Sequence, residues 1–354
     1  MRIQTGIPLD DWRQVPEAAS CAEAQGFDAV VSFEIAHDPF IPLGFAATAT
    51  ERVELGTAIA VAFPRSPMVV ANLGWDLQTQ SGGRFVLGLG TQVKGHNERR
   101  FGVPWSAPVP RLREYIESLR AIWTSWQTGE PLDYRGDHYQ FTLMTPEFRP
   151  EPNDQPMVPI TIAAVGPAMQ KLAGRLCNGV RLHGFATRKY LEEVALPQVH
   201  AGLQKSGRKR SEFEIWGGGF ICTGPDEETV AKEVEAIRYR VAFYGSTRSY
   251  HHVFRCHGWE DLGMKLHHMS KAGRWQEMAA EVPDDVVRTF AAVSRYEGLT
   301  DAVAERFGGI VDTVTLAFSA RTDADQLAEV VSGIRAIPSE FEGFHPSSKD
   351  RPRF

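Results

Sequence analysis

Two residues near the start of the chain have the types and spacing for proton chemistry. They are Glu34 and His37, in the stretch SFEIAHDPF (32–40). An imidazole titrates near neutrality and can take or give a proton in a reaction, and a nearby carboxylate can orient or charge-tune it. A second candidate is GRFVLGLGTQVKG (83–95), where Gly88 and Gly90 end an apolar run. A dinucleotide fingerprint needs one more glycine three positions on and an immediate helix. Val93 stands there instead, and Gly95, Gly102, Pro104, Pro108 and Pro110 break the chain downstream. The glycine pair therefore permits close backbone approach rather than cradling a pyrophosphate. A third candidate is Gly166-Pro167, a helix start whose free N–H groups and dipole favour an anion.

Other chemistries find less support. His251-His252, Cys256-His257 and His267-His268 look metal-like, but adjacent histidines on a helix diverge and no H-E-x-x-H occurs, so no metal is expected. No G-x-S-x-G offers a hydrolase nucleophile. Lysine and arginine number 38 against 44 acidic residues, a net charge of −6, which argues against a nucleic-acid partner. Arg208-Lys209-Arg210 then reads as a solvated turn. No apolar run approaches the roughly 20 residues of a membrane span. The N-terminus MRIQTGIPLDDW lacks a secretion signal, and the four cysteines (21, 177, 222, 256) are scattered without a C-x-x-C pair. A reducing cytoplasm is the expectation.

The elements that must carry these residues alternate between strand and helix. Strands are expected at Ile3–Ile7, Ala29–Phe33, Val53–Ala62, Phe85–Leu89, Ile160–Val165, Gly179–Leu182, Glu214–Cys222 and Asp312–Phe318. Asp38-Pro39 and Ser66-Pro67 read as helix caps followed by proline. Leu112, Ile116, Leu119 and Trp123 form a helical stripe that ends at Gly129. The turn after the first strand, Pro8-Leu9-Asp10-Asp11, lacks the glycine-rich loop of a doubly wound sheet. The expectation is an α/β fold, a (β/α)8 TIM barrel. One domain should span residues 1–354, with a helical insertion at about 245–305 between strands seven and eight, where no strand is expected. In such a barrel the site lies at the C-terminal strand ends. Phe40, Phe63, Trp105 and Phe185 follow strand ends there as candidate pocket residues.

The run LGTAIA…SPMVVANLGWDLQTQSGGRFVLGLGT (55–91) resembles the central signature of the luciferase-like flavin and deazaflavin barrel family. VPITIAAVGPAMQKLAGRLCNGV (158–180) resembles the same family's fifth-strand block, with Asn178 where an acidic residue is usual. The stretch at 228–259 resembles the branch that uses the 5-deazaflavin coenzyme F420. The resemblance implies a ring bound at the strand C-termini and backed by a non-proline cis peptide, which would be Ala58–Ile59. It places Thr57, Ala58, Ile59, Ala60, Gly90, Thr91 and Asn97 against the ring and ribityl chain. Ala164, Val165, Gly166 and Pro167 fall on the phosphate side, and Glu34 and His37 in the catalytic neighbourhood. It further implies a homodimer acting on a small-molecule substrate. The expected reaction is hydride transfer between that substrate and F420. The alternative is an FMN-dependent two-component monooxygenase, which would need a flavin or F420 reductase partner.

Overall fold

The computed structural model describes residues 1–318 and 322–344. Its strands begin with β1 (Arg2–Gly6), β2 (Ala29–Ser32), β3 (Glu54–Thr57), β4 (Ala60–Val61), β5 (Phe85–Gly90) and a small hairpin, β6 (Tyr134–Arg135) and β7 (Gln140–Phe141). They continue with β8 (Ile160–Ala164), β9 (Gly179–Leu182), β10 (Glu214–Gly217), β11 (Phe220–Gly224), β12 (Ala291–Arg295) and β13 (Thr313–Thr315). The spatial order is β3-β2-β1-β13-β10-β9-β8-β5, and β5 returns to β3 through Leu55–Phe85 and Gly56–Val86. Eight parallel strands therefore close into a barrel, as the alternating pattern predicts.

The early helices are α1 (Val15–Ala24), α2 (Ile41–Ala49), α3 (Pro67–Gln80), α4 (Lys94–Arg99), α5 (Pro108–Thr128) and α6 (Pro167–Leu176). A short α7 (Arg188–Tyr190) runs through a π segment (Leu191–Ala195) into α8 (Leu196–Ser206). Then come α9 (Glu227–Gly245), α10 (His251–Arg255), α11 (Glu260–Lys271), α12 (Asp284–Phe290), α13 (Leu299–Phe307) and α14 (Ala324–Arg335). The stripe of α5 is buried as expected, and the helix stops where Gly129 takes φ 78°. Ser66 caps α3 by accepting from the Met68 amide, and Asp38 accepts from the Phe40 and Ile41 amides just before α2. No helix is long and apolar enough to cross a membrane among the described residues.

The parallel strands share a device at their N-terminal ends. The side chains of Asp28, Asn178 and Asp312 each accept a backbone N–H from a neighbouring strand, at Ile3 (2.9 Å), Ile160 (3.1 Å) and Ile215 (2.8 Å). Asn178 retains the contact because its amide oxygen accepts as a carboxylate would.

Three sequence expectations change. The third strand does not run unbroken over Val53–Ala62: β3 and β4 are separated by a cis peptide at Ala58–Ile59. The seventh does not run through Glu214–Cys222. Gly217 and Gly218 adopt φ 73° and 90°, which only glycine accepts readily, so β10 ends and β11 leaves the barrel. The insertion is not purely helical, because β12 lies within it and pairs in parallel with β11 along its whole length. Ala291–Ala292 are buried there, a pattern too short to stand out from helix.

Candidate active site

The barrel is plugged below its mouth by Arg181, which sequence reasoning missed. Its guanidinium lies 4.0 Å from the Trp216 ring, and Nε donates to Thr161 Oγ1 at 3.1 Å. Burial drags its pKa down to about 10. A charged residue inside the apolar strand GVRL was the available signal. Glycines make room for it. A Cβ on Gly88 would stand 2.8 Å from Arg181 Nε and 1.9 Å from the Thr57 carbonyl, and one on Gly56 3.2 Å from Arg181 Nη2.

Above this plug, β3 and β5 are bound edge to edge. The Thr57 hydroxyl donates to the Gly88 carbonyl (2.7 Å) and accepts from the Gly88 amide (2.9 Å). The cis bend then turns the Ile59 side chain over Gly90, where a Cβ would meet it at 2.5 Å. Gly88 and Gly90 thus admit a neighbouring strand and its side chain. Ala58 and Ile59 remain half-buried and form an apolar ledge, while Ala60 is buried.

Past β5 the chain runs Thr91, half-buried, into Gln92 at φ 56°. Gln92 is the one non-glycine residue with positive φ among the described residues, and its type gave no warning. Asn97 on α4 is wholly buried, and its Nδ2 donates to the carbonyls of Thr91 (2.9 Å) and Val93 (3.2 Å). Its Oδ1 has no partner.

Glu34 and His37 do not form a pair. The Glu34 carboxylate is claimed by Arg65 Nη1 (2.8 and 2.9 Å) and by the Val61 amide (2.6 Å), and its side chain is 6% exposed. Arg65 also bonds Asp38 at 3.0 Å. Burial would lower the Arg65 pKa, but hydrogen bonds and charge from Glu34 and Asp38 outweigh it and raise the value. His37 is exposed and makes no hydrogen bond among the described residues.

The opposite wall comes from β8 and β9. Ala164 is buried, Val165 and Gly166 are half-buried and Pro167 is exposed. No side chain caps α6, and a Cβ on Gly166 would meet nothing within 4 Å. The Val165 carbonyl accepts from Tyr190 Oη (3.0 Å) and Gln170 Nε2 (3.1 Å), which anchors the turn. Next to it stands His183, a strand-end residue that the sequence places at the site end without assigning it a role. Its Nδ1 accepts from the Phe185 amide at 3.0 Å, and its ring packs 4.4 Å from Tyr244 and 4.9 Å from Tyr250. Burial pushes its pKa down to about 4, so it is neutral near pH 7. Phe40, Phe63 and Phe185 are core residues rather than pocket lining, and Trp105 is half-buried against Phe63. The paired histidines of the insertion are engaged locally: His251 Nε2 with the Gly245 carbonyl and His267 Nδ1 with the Ser246 carbonyl, both at 2.9 Å.

Residues 1–313 of the chain are matched by the family model for luciferase-like monooxygenases. The chain belongs to that family. An uncharacterized protein of Mycobacterium tuberculosis is 44% identical over 306 residues, covering 86% of this chain and 90% of that one. The 5,10-methylenetetrahydromethanopterin reductase of Archaeoglobus fulgidus is 29% identical, covering 85% and 86%. The structure of the coenzyme F420 dependent tetrahydromethanopterin reductase from Methanopyrus kandleri superposes with a TM-score of 0.74 at 21% identity, covering 94% and 97%. As a member of this family of oxidoreductases and monooxygenases the luciferase-like protein is an enzyme.

Proposed function

We propose that this luciferase-like protein is an F420-dependent oxidoreductase that moves a hydride between a deazaflavin ring and a small organic substrate. The observation that carries the reading is the pairing of an apolar ledge with an uncapped helix start. Ala58 and Ile59 offer a half-buried flat surface, and the open N-terminus of the ten-residue α6 faces solvent beside Gly166. Such a terminus suits a phosphate. The unpartnered Oδ1 of Asn97 suits a donor on a polar ligand. A relative named as an F420-dependent enzyme supports the choice.

Thr91, Asn97, Ile59, Val165 and Gly166 would hold the coenzyme, with Thr57, Ala58, Ala60, Gly90, Ala164 and Pro167 shaping the wall behind them. When bound, the deazaflavin supplies a carbon centre that accepts or gives a hydride. His37, exposed on the loop after β2, takes the substrate hydroxyl proton in the oxidising direction and returns it in the reverse. Glu34 is a positioning residue: through Arg65 and the Val61 amide it fixes β4 and the loop that carries His37.

The test is ligand-dependent stability. F420 should raise the melting temperature, because a ligand bound only to the folded state stabilises it by about 2.7 kcal/mol at a hundred times its Kd. FMN at matched concentration should not. Stabilisation by FMN alone would make the protein a flavin enzyme and end the F420 reading.

A further inference from the structure

A cleft of about 530 Å³ opens among α7, α12, β12 and α13. Four cations line it, Arg188, Lys189, Arg288 and Arg306, against two carboxylates, Glu192 and Glu305. Only Arg188 is paired, with Glu192 at 2.9 Å. Lys189, Arg288 and Arg306 form no ion pair among the described residues. In a chain whose net charge is −6, that local excess of positive charge stands apart.

Arg306 is the informative member. Its residue is 7% exposed, and Nη2 donates to the carbonyls of Ala186 (2.6 Å) and Gly218 (2.9 Å). Those carbonyls follow β9 and β10, so the guanidinium sits at the rim where the barrel's ligand end lies. Nε–H and both Nη1 hydrogens are enclosed with no partner. Burial, and then the neighbouring Arg188, pull its pKa down to about 10. A guanidinium taken out of water with no anion and with unspent donors is costly unless something negative arrives.

We propose that this cleft is an oxyanion site, taking the phosphate or clustered carboxylates of a small anionic molecule. Arg306 is the inner anchor, and Lys189 and Arg288 close on the anion from the exposed rim. Guanidinium groups suit such oxygens because they present several fixed N–H donors with full charge. The same chemistry could be offered by an anionic substrate or by an anionic tail on the coenzyme. The site itself does not rest on the F420 reading, since it is argued from protein groups alone.

Pyrophosphate titrated calorimetrically into the coenzyme-free protein at fixed ionic strength tests it. Binding to one site per chain is expected, with affinity lowered about tenfold or more in Lys189→Gln/Arg288→Gln, a loss of about 1.4 kcal/mol or more. Both side chains are exposed, so the variant should keep its circular dichroism and melting point. Arg306→Gln should abolish binding, and rescue by Arg306→Lys would show that charge is what matters. Repeating the titration with F420 present assigns the anion: unchanged affinity supports an anionic substrate group, and competition supports a coenzyme tail. No binding, or equal binding by wild type and the double variant, overturns the proposal.

Discussion

His37 is free, while Glu34, three residues earlier, is spent on Arg65, and this division decides what each substitution should do. His37→Asn should lower turnover by about 100-fold with coenzyme affinity intact, the usual contribution of a positioned general acid–base. An unchanged rate in steady-state assays would take His37 out of the chemistry. Arg65→Met leaves the nearly buried Glu34 carboxylate without its cation and should cost about 3 kcal/mol in urea denaturation. His183 carries a pH signature. Its folded pKa of about 4 lies below the ordinary histidine value of 6.5. The unfolded chain therefore binds its proton first as pH falls. Stability from this residue is complete above about pH 6.5 and drains away toward pH 4, amounting to about 2 kcal/mol between pH 7 and pH 5. His183→Gln should shrink that acid loss in denaturation curves at the two pH values. An identical loss would mean that the ring is solvated.

At the scale of elements, the S-G-G-R turn between α3 and β5 (81–84) ties a helix end to a strand start. Gly82 and Gly83 take φ 66° and 87°. Arg84 then reaches back to the end of α2 and the start of β3. It donates to the carbonyls of Val53 (2.7 Å), Thr50 (2.8 Å) and Ala47 (3.2 Å). Orphan helix-end carbonyls are satisfied by one side chain. Arg84→Met should thus destabilise the protein by about 2–3 kcal/mol without altering ligand affinity. The neighbouring edge is tighter still. Gly88→Ala places a methyl 1.9 Å from the Thr57 carbonyl, which backbone cannot evade, so the variant should melt well below wild type or fail to accumulate.

At the scale of the whole molecule, barrel closure gathers residues that are far apart in the chain. The ledge at 58–59, Asn97 and the Gly166 turn meet at one end because all eight strands run parallel. The opposite end is pinned by ion pairs, Arg2 with Glu214 at 2.8 Å and with Glu54 at 2.9 Å.

By itself the sequence determined the alternation of strands and helices, the eight-strand count, the cap at Ser66 and the helix stop at Gly129, because these follow from short-range periodicity and backbone preference. It also marked the strand ends, and hence the stretches that hold Ile59, Gly90, Asn97, Gly166 and His37. Only the tertiary structure decided which groups remain available to a ligand. Glu34 proved committed to Arg65, Gly90 to Ile59 and Thr57 to Gly88, while Arg181 and Arg306 emerged from an unremarkable strand and helix. The physical reason is that a side chain's partners lie mostly across the barrel, tens of residues away, where no local pattern records them. The split of the seventh strand into β10 and β11, with β12 as the partner of β11, has the same origin: that strand pair joins segments about 70 residues apart.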